Sequence, residues 1–470
     1  AARYRDALER VPQGERADLY ERLGTALAAA GEHGAAIEAF EAALQFYAGT
    51  PPDDELARAR LLLGLGSALA HSGRHSEAGG RLAEAEAALA AAGGRAGSSS
   101  SDGARNLLHG RVRGARARLA LEIGDLADAR DLATEALRLL EPLPEAMLDR
   151  LEVRNDLAGA LFHRGQLDEA QRYLEAQLPD ALALGHPAML CRLHANRGLI
   201  LLLQGNLPAA LAANERAAEV LGGYHDGYRR THLLADRGEM QVVSGAWDDA
   251  LATLGLAIEA AEREGWPHLA TRAHADVAVP LLARGRFDEA REHLQRCIGA
   301  ATRPGFGDEV PLIMALVRRA ALHRIQGRLV AAADDLEHAR AAAERLGRPQ
   351  ELADVHLGLS RLCAAQGDRP GAEEHAVGAL ALATAHGFGL YQARAHVALA
   401  YALRDRDSAR ALAALGEAIA ALRAGEARPD LSEALALQAA LLPPGPAARR
   451  AHGEAEMLRR RLGIVVNHFL

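Results

Sequence analysis

Residues 245–267 read GAWDDALATLGLAIEAAEREGWP, and this phrase recurs along the chain. A glycine opens it, a bulky apolar residue stands two positions later, an acidic residue follows, and an alanine-rich amphipathic run ends at a second glycine. Close copies begin at Gly165 (GQLDEAQRYLEAQLPDALALG) and Gly285 (GRFDEAREHLQRCIGAATRPG), and weaker ones at Gly327 and Gly367. The chain is therefore organised as a tandem repeat of this unit.

The first glycine of each copy marks the period of the repeat. These markers are Gly31, Gly73, Gly124, Gly165, Gly205, Gly245, Gly285, Gly327 and Gly367, with a degenerate tenth copy at Arg406 and Asp407. Most successive markers are 40 to 42 residues apart, and a second glycine follows six of them after 20 residues. A fixed period in this range is typical of a solenoid, in which each repeat stacks on the next. The second glycine divides each unit into two halves of equal length.

Each half of a unit reads as one helix followed by a turn. Apolar residues recur at helical spacing, as in Leu19, Leu23 and Leu27 of the first unit or Ala250, Leu254 and Ile258 of the sixth. The glycines after the helices favour the left-handed backbone that closes a helix. The acidic residues after the markers are expected to serve as N-caps, namely Asp168, Asp248 and Asp288. No strand-like alternation appears, so the sequence predicts an all-α fold.

The first unit resembles a known repeat family. It has small and bulky residues at characteristic offsets, which are Tyr20, Leu23, Gly24, Leu27, Gly31, Ala36, Phe40 and Ala43. This pattern resembles the tetratricopeptide (TPR) repeat, in a long variant with a period of about 40 residues where the usual unit has about 34. The resemblance covers residues 17–423 and implies a right-handed superhelical solenoid of about ten TPR-like helix-turn-helix repeats with a C-terminal capping helix. Each pair is expected to share hydrophobic contacts only with its neighbours.

The repeat divides the chain into five segments. Residues 1–14 are either an N-terminal cap or the remnant of an earlier repeat, and residues 15–92 hold repeats 1 and 2. Residues 93–103 are rich in Gly and Ser, which predicts a flexible insertion that is either a loop within one solenoid or a hinge between two. Residues 104–425 hold repeats 3 to 10, and residues 426–470 are capping helices and an apolar tail. The chain begins with Ala1, which is consistent with a fragment of a longer protein.

The composition excludes several function classes. The net charge is -8, which gives no electrostatic case for nucleic-acid contact. All 54 basic residues are arginine, so no lysine is present for a Schiff base or a P-loop. The three cysteines lie in different units, which favours a reducing cytoplasm over a disulfide framework. No stretch has the roughly 18 apolar residues that a membrane span needs.

Catalytic and metal-binding motifs are missing from the sequence. No HExxH, GxSxG, GxGxxG, CxxC or EF-hand pattern occurs, so an enzyme, a cofactor and a metal site are not expected. Histidines recur on the first helices as His194, His274, His356 and His396. They belong to different units and are interpreted as packing residues, because ligands of one ion must converge within about 2 Å of it.

The resemblance implies a binding groove on the inner face of the first helices. Carried over residue by residue, the family's groove positions fall on Arg60, Ser67, Arg111, Arg118, Asn155, Arg192, Glu239, Arg272 and Arg361. The arginine-dense first helix of unit three is either an anion or acidic-peptide site or a solvated face paired with Glu122 and Asp125. The family's lysine-dependent carboxylate clamp is not expected, since lysine is absent. Trp266 and Phe388, at the far turns, are candidates for exposed contact.

The sequence leaves two functions open. One is a non-catalytic scaffold that binds a protein or peptide partner in the concave groove. The other is an effector- or partner-sensing domain of a larger bacterial signalling or transcription regulator, because long repeats of this kind resemble those behind the ATPase part of such regulators. An enzyme would need polar groups converging in a deep cleft, and the sequence predicts none.

Overall fold

The computed structural model describes residues 16–47, 55–93, 99–223, 226–304 and 306–465, and their regular structure is helical throughout. The α-helices within these ranges are α1 Arg16–Ala29, α2 His33–Tyr47, α3 Glu55–His71, α4 His75–Gly93, α5 Ser99–Glu122, α6 Leu126–Leu140, α7 Met147–His163, α8 Leu167–Leu184, α9 Pro187–Leu203, α10 Leu207–Leu221, α11 Gly227–Ser244, α12 Trp247–Glu264, α13 Pro267–Ala283, α14 Phe287–Ala301, α15 Val310–Ile325, α16 Leu329–Arg345, α17 Pro349–Gln366, α18 Arg369–Ala385, α19 Gly389–Leu403, α20 Ser408–Ala424, α21 Arg428–Leu441 and α22 Pro446–Leu462. A single 3-10 turn, Pro144–Ala146, precedes α7.

Consecutive helices form pairs, and we number the pairs 1 to 11 from α1–α2 to α21–α22. Within a pair a short turn joins the first helix to the second, and each pair stacks on the next to form an all-α solenoid. The last pair occupies the region expected to hold capping helices. Its apolar residues Leu431, Leu435, Ala455 and Leu458 are buried in the same way as those of earlier pairs. The C-terminal segment is thus built as a further repeat.

The marker glycines close the first helix of their pairs. All nine have a positive φ, between 71° and 85°, which a residue with a Cβ adopts only with strain. The expected N-caps at Asp168, Asp248 and Asp288 are wrong. The helices begin one residue earlier, at Leu167, Trp247 and Phe287, so the aspartates lie inside the first turn. There their negative charge still favours the helix dipole.

The bulky apolar residue two positions after several markers is buried, as Trp247 shows by packing with Ala283 and Leu462 of later pairs. Trp247 is buried, and its indole N–H donates to the carbonyl oxygen of Val242 at 3.1 Å.

Trp266 and Phe388 were expected to be exposed, and this is wrong: their exposed fractions are 4% and 0%. Phe388 joins a large apolar cluster that includes residues of α7 and of α19.

The Gly/Ser-rich segment is partly helical. Helix α4 ends at Gly93 and α5 begins at Ser99, so residues 99–103 of the expected insertion belong to a helix. Residues 94–98 lie outside the described residues, as do residues 1–14 and the apolar tail after Val465. The choice between a loop and a hinge therefore stays a prediction, and so does the role of both termini.

The expectation that each pair contacts only its neighbours is wrong. The marker turn of each pair from 2 to 6 contacts turns that lead into the pairs five or six places later. Gly73 lies against Pro267, Gly165 against Pro349 and His386, and Gly245 against Pro429 and Leu462. The His386 ring nitrogen Nδ1 is 3.3 Å from the carbonyl oxygen of Gly165. The solenoid therefore completes one superhelical turn in about five pairs, and successive turns touch.

The backbones of two turns meet directly at the middle of the molecule. A Cβ on Gly389 would overlap the carbonyl oxygen of Gln204, and a Cβ on Gly425 would overlap that of Gly205. At the C-terminal end the amide of Val465 donates to the carbonyl oxygen of Ala283 at 3.1 Å. Neither Gly389 nor Gly425 has a positive φ, so backbone conformation does not require glycine at these positions. The close approach of the two backbones does.

The contact between turns predicts the effect of a single methyl group. Gly389→Ala should lower the free energy of unfolding by about 1–3 kcal/mol, because a Cβ cannot fit against Gln204 without moving one backbone from the other. Gly416→Ala is the matched control, since Gly416 lies inside α20 with no atom within 4 Å of a new Cβ. It should be neutral or should raise stability by about 0.5–1 kcal/mol. Urea unfolding measures both, and equal effects would contradict the contact.

Candidate functional site

The inner face of pairs 1 to 7 lines a partly open cavity of about 520 Å³. The last turns of α3 and α5 form one side, the lengths of α7 and α9 form the floor, and α11 and α13 form the other side. The turn between α1 and α2 closes the cavity from the preceding end through Gly31 and His33. We call this space the inner cavity. It exists because pairs 1 and 2 lie against pairs 6 and 7 across one superhelical turn.

Four of the nine residues expected to line the groove lie in the wall of the inner cavity: Arg118, Asn155, Arg192 and Arg272. The other five lie outside its wall. Arg60 pairs with Glu21, Arg111 with Asp149 and Glu239 with Arg272. The Ser67 carbonyl oxygen is 2.8 Å from His71 Nδ1, and Arg361 borders a separate small pocket with Arg324. A binding role for all nine stays a prediction.

The cavity arginines are held by carboxylates on adjacent first helices. Asp156, which is 4% exposed, accepts from Arg118 Nε at 3.1 Å and from Arg192 Nη2 at 2.5 Å. Arg272 contacts two carboxylates of α11, Asp236 at 2.9 Å and Glu239 at 2.6 Å. We call this series of ion pairs along the inner face the inner ladder. It fixes the guanidinium groups in place and neutralises their charge.

The arginine cluster of α5 has the same character. Arg113 contacts Glu86 of α4 and Glu135 of α6, each at 3.0 Å, and Arg116 also pairs with Glu86. The expectation of a solvated face paired with Glu122 and Asp125 is wrong. The partners are Glu86 and Glu135, which lie on the neighbouring helices α4 and α6. The alternative, an anion site made by the same arginines, finds no support in a cluster whose charges are compensated.

Asparagines supply the uncharged polar groups of the wall. The amide oxygen of Asn155, in the orientation that satisfies its neighbours, accepts from Arg192 Nη2 at 2.8 Å and from Asn196 Nδ2 at 3.2 Å. Asn155 is buried on α7, and Asn196 lies one pair further on α9. A primary amide both donates and accepts, which matches the two groups of a peptide backbone.

Burial acts on the pKa values of acidic and thiol groups in and beside the wall. Burial raises the pKa of Glu122 to about 7, against the opposing effect of Arg118. Burial also acts to raise the pKa of Asp236, but His232 and Arg272 outweigh it, so this pKa lies below its usual value. The pKa of the Cys191 thiol rises to about 11 because the thiol is buried. A thiol held in its protonated form is a poor nucleophile.

A cluster of rings joins pairs 1 and 2 to pairs 6 and 7. The rings of His33 and His71 stack with centroids 4.8 Å apart, and His71 lies edge-on to Tyr228 at 6.0 Å. The Tyr228 hydroxyl is 2.9 Å from His268 Nε2, and the Tyr228 ring packs against Trp266 at 5.5 Å. We call these five residues the ring cluster. It shuts one side of the inner cavity.

Sequence reasoning missed the ring cluster. Two of its members flank the marker turns of pairs 1 and 2, and the other three lie at the start of the first helices of pairs 6 and 7. The two groups are more than 150 residues apart in the chain. The only signal was the occurrence of His and aromatic residues at helix ends in pairs 1, 2, 6 and 7. That signal is uninformative until the number of pairs per superhelical turn is known.

The recurring first-helix histidines are placed as packing residues. His274 and His293 of pair 7 have Nδ1 atoms 2.8 Å apart, and His356 and His375 of pair 9 repeat the arrangement at 3.2 Å. Within the described ranges, no three or more His, Cys, Asp or Glu side chains are grouped so that they could hold a metal ion.

The ring cluster predicts a loss of stability in acid. Burial lowers the pKa of His71 to about 3, with a smaller contribution from His33, and burial lowers that of His268 to about 3 as well. In the unfolded chain a histidine has a pKa near 6.5. Below about pH 6.5 the unfolded state therefore binds protons that the folded state does not bind. The free energy of unfolding should therefore fall as the pH drops from about 6.5 towards 3, by up to about 1.4 kcal/mol per pH unit for each histidine.

A paired substitution isolates this effect. The variant His71→Gln/His268→Gln should show a shallower dependence of the unfolding free energy on pH between 6 and 4, whatever its stability at pH 7. His452→Gln is the control, because His452 is exposed on α22. Chemical unfolding at several pH values measures the slopes. Identical slopes in wild type and both variants would show that these histidines are not buried as neutral groups.

The fold is similar to that of solved structures whose sequences differ widely from this one. A Rap protein complexed with competence and sporulation factor aligns with a TM-score of 0.56 and 15% identity over 75% of this chain and 96% of its own. The Rap conjugation gene regulator of plasmid pLS20, bound to a Phr peptide, aligns with a TM-score of 0.50 and 13% identity over 77% and 98%. NprR in complex with its cognate peptide NprX aligns with a TM-score of 0.50 and 15% identity over 74% and 98%.

These likenesses define the class of the fold. The chain is a TPR-like helical-repeat solenoid, as its repeat pattern predicts. No protein-family model matches its sequence, and no curated protein does. None of the helices in the described ranges combines the length and the apolar character that a membrane span requires.

Proposed function

We propose that this chain is a non-catalytic scaffold that binds a peptide in the inner cavity. The observation that supports it most is the convergence of first helices from five consecutive pairs, 3 to 7, on one partly open cavity of about 520 Å³. A cavity of this size accommodates a few residues of an extended chain, and its wall mixes apolar positions with a small number of fixed polar groups. Three solved structures with this fold contain a Rap or NprR protein bound to a peptide or peptide factor.

The polar groups of the wall suit a peptide backbone better than a free anion. The arginines are neutralised by the inner ladder, so an anionic ligand would have to displace Asp156 or Asp236 from them. The Asn155 and Asn196 amides sit side by side on successive first helices. We infer that they bond the backbone of the ligand, while Leu199 and Phe162 contact its side chains.

Catalysis is not part of the proposal because the wall offers no activated nucleophile. Burial raises the pKa of the Cys191 thiol, and the Asp156 carboxylate is engaged by two arginines. General acid–base chemistry would need a group that titrates near neutral pH and is free to contact a substrate. Glu122 has a pKa of about 7, but no nucleophile stands beside it.

A synthetic peptide pool tests the proposal. Immobilised protein is incubated with a random heptapeptide pool, retained peptides are identified, and the affinity of the strongest is measured by calorimetry. Asn155→Ala and Asn196→Ala should each weaken binding about tenfold, because each leaves buried peptide groups without a partner. The matched control is Asn214→Ala. Asn214 is also buried, but it donates to the Leu233 carbonyl oxygen of the next pair and lies outside the cavity wall.

The comparison separates binding in the cavity from general destabilisation. All three variants lose a buried hydrogen bond, so each lowers stability, but only the two in the wall should change affinity. Retention of no peptide by the wild type, or equal affinity for Asn155→Ala, Asn196→Ala and the control, would contradict the proposed site.

A second candidate is a sensing domain within a larger bacterial regulator. The observation in its favour is that one protein of the same fold is a conjugation gene regulator bound to a peptide. Under this proposal the peptide is a signal, and its entry changes the contacts between superhelical turns. The two candidates separate on whether peptide binding alters hydrogen exchange at the ring cluster. A change supports sensing, and no change supports a passive scaffold.

A further inference from the structure

A second large space lies between two superhelical turns, and its lining shares no residue with that of the inner cavity. It has a volume of about 770 Å³. One wall is the marker turn of pair 3, residues 123–127, and the other is the segment that leads from pair 8 to pair 9, residues 343–349. Arg164, Leu382 and His386 close its ends. We call this space the inter-turn cleft.

The guanidinium of Arg348 lies between the two walls of this cleft. Arg348 is the residue before α17, and its exposed fraction is only 3%. Its Nη2 reaches the opposite turn, where it lies 3.5 Å from the position of a Cβ on Gly124. Within the described residues, its Nε and Nη1 atoms have no hydrogen-bond partner. Both atoms are shielded from solvent, so Nη2 is the atom of this guanidinium that borders the cleft. A buried guanidinium that lacks two of its hydrogen bonds is unfavourable, and an anion at Nη2 would offset its charge.

The carboxyl groups near Arg348 do not satisfy it. Asp308 and Glu351 are close enough to feel its charge, but burial raises the pKa of both, and Nε and Nη1 bond to neither. Asp308 Oδ1 instead accepts from the backbone amide of Val310 at 3.0 Å. The two acidic residues that line the cleft are also engaged: Asp125 caps α6, and Glu344 is 4.0 Å from Arg340.

The rest of the cleft has the character of a site for an organic anion. Arg164 adds a second guanidinium to the wall, while Arg345 is already paired with Glu309. The first turn of α6 borders the cleft at Leu126 and Ala127, and the amino end of a helix favours negative charge. Leu346 and Leu352 supply apolar surface beside the charged groups.

We propose that the inter-turn cleft binds a small phosphorylated molecule, with its phosphate on Arg348 and Arg164 and its apolar part against Leu346 and Leu352. A phosphate carries more negative charge than a carboxylate and has a third terminal oxygen, so it can accept from two guanidinium groups at once. The volume lies within the usual range for small-molecule sites. This site is separate from the inner cavity, so it goes beyond the peptide-binding function.

Binding there would connect two turns of the superhelix. The phosphate would bridge pair 3 to pairs 8 and 9, which are joined across the cleft only by contacts between turns. Pairs 3 and 4 also form part of the inner cavity wall. The ligand would thereby stiffen the region that holds the cavity closed.

Titration with defined phosphates tests the site on the full chain. Inorganic phosphate, pyrophosphate and adenosine monophosphate are added separately, and heat release and melting temperature are recorded. We expect binding of at least one of them, a raised melting temperature, and slower hydrogen exchange at residues 123–127 and 343–349. Arg348→Met should abolish the response. Arg216→Gln, on the exposed face of α10, should leave it unchanged.

The unliganded variants give an independent readout. If Arg348 awaits a ligand, Arg348→Met should melt at the same or a higher temperature than wild type in buffer without phosphate, because an uncompensated buried charge has been removed. A structural role for Arg348 as a brace between turns predicts a lower melting temperature instead. The proposal is overturned if none of the three phosphates binds, if Arg348→Met still binds, or if that variant is destabilised without phosphate. None of these results bears on peptide binding by the inner cavity.

Discussion

The close approach of one superhelical turn to the next is the constraint on which this structure depends. An open solenoid would present a groove along one face, but here the marker turn of each pair from 2 to 6 contacts entry turns of the pairs five or six places on. At Gly205, Gly389 and Gly425 the approach is between backbones, with no room for a side chain. The contact narrows the groove into a partly open cavity and creates a second cleft between the turns.

The inner ladder determines what the cavity can recognise. Asp156, Asp236 and Asp276 are almost fully buried, and each is held by an arginine from an adjacent pair. Taking such charges out of water is costly, and their mutual attraction offsets the cost only with good geometry. The ladder therefore contributes more to the register between pairs than to net stability. It also leaves the wall nearly neutral, so that amides and apolar groups make the contacts available to a ligand.

The sequence predicts the local structure well because the signals that determine each helix pair lie within a single repeat. Glycines at the markers require positive φ, and apolar residues at helical spacing define the buried stripe, so the helix pairs follow from short-range rules. The inner face follows too, since Arg118, Asn155, Arg192 and Arg272 fall on first helices and meet at one cavity. The sequence did not predict the charge of that face. The groove arginines have partners on other helices, and the spacing within a single repeat does not reveal such partners.

The repeat pattern does not predict whether successive turns of the superhelix touch. The number of pairs per turn is the sum of many small rotations between neighbours, and an error of a few degrees in each decides whether distant turns meet. Trp266 and Phe388 were assigned to an exposed surface because they stand at turns, yet turns are buried wherever the superhelix closes on itself. The ring cluster and Arg348 belong to the same category, since their environments are assembled from residues far apart in the chain.

The distance between two adjacent turns tests the central claim most directly. Spin labels at positions 206 and 424 would stand on exposed residues on either side of the contact between Gly205 and Gly425, after replacement of the partly exposed Cys363 by alanine. Double electron–electron resonance on the protein without ligand should give a single short, narrow distance distribution. A long or broad distribution would mean that the turns are apart in solution, and the inner cavity would not exist in this form.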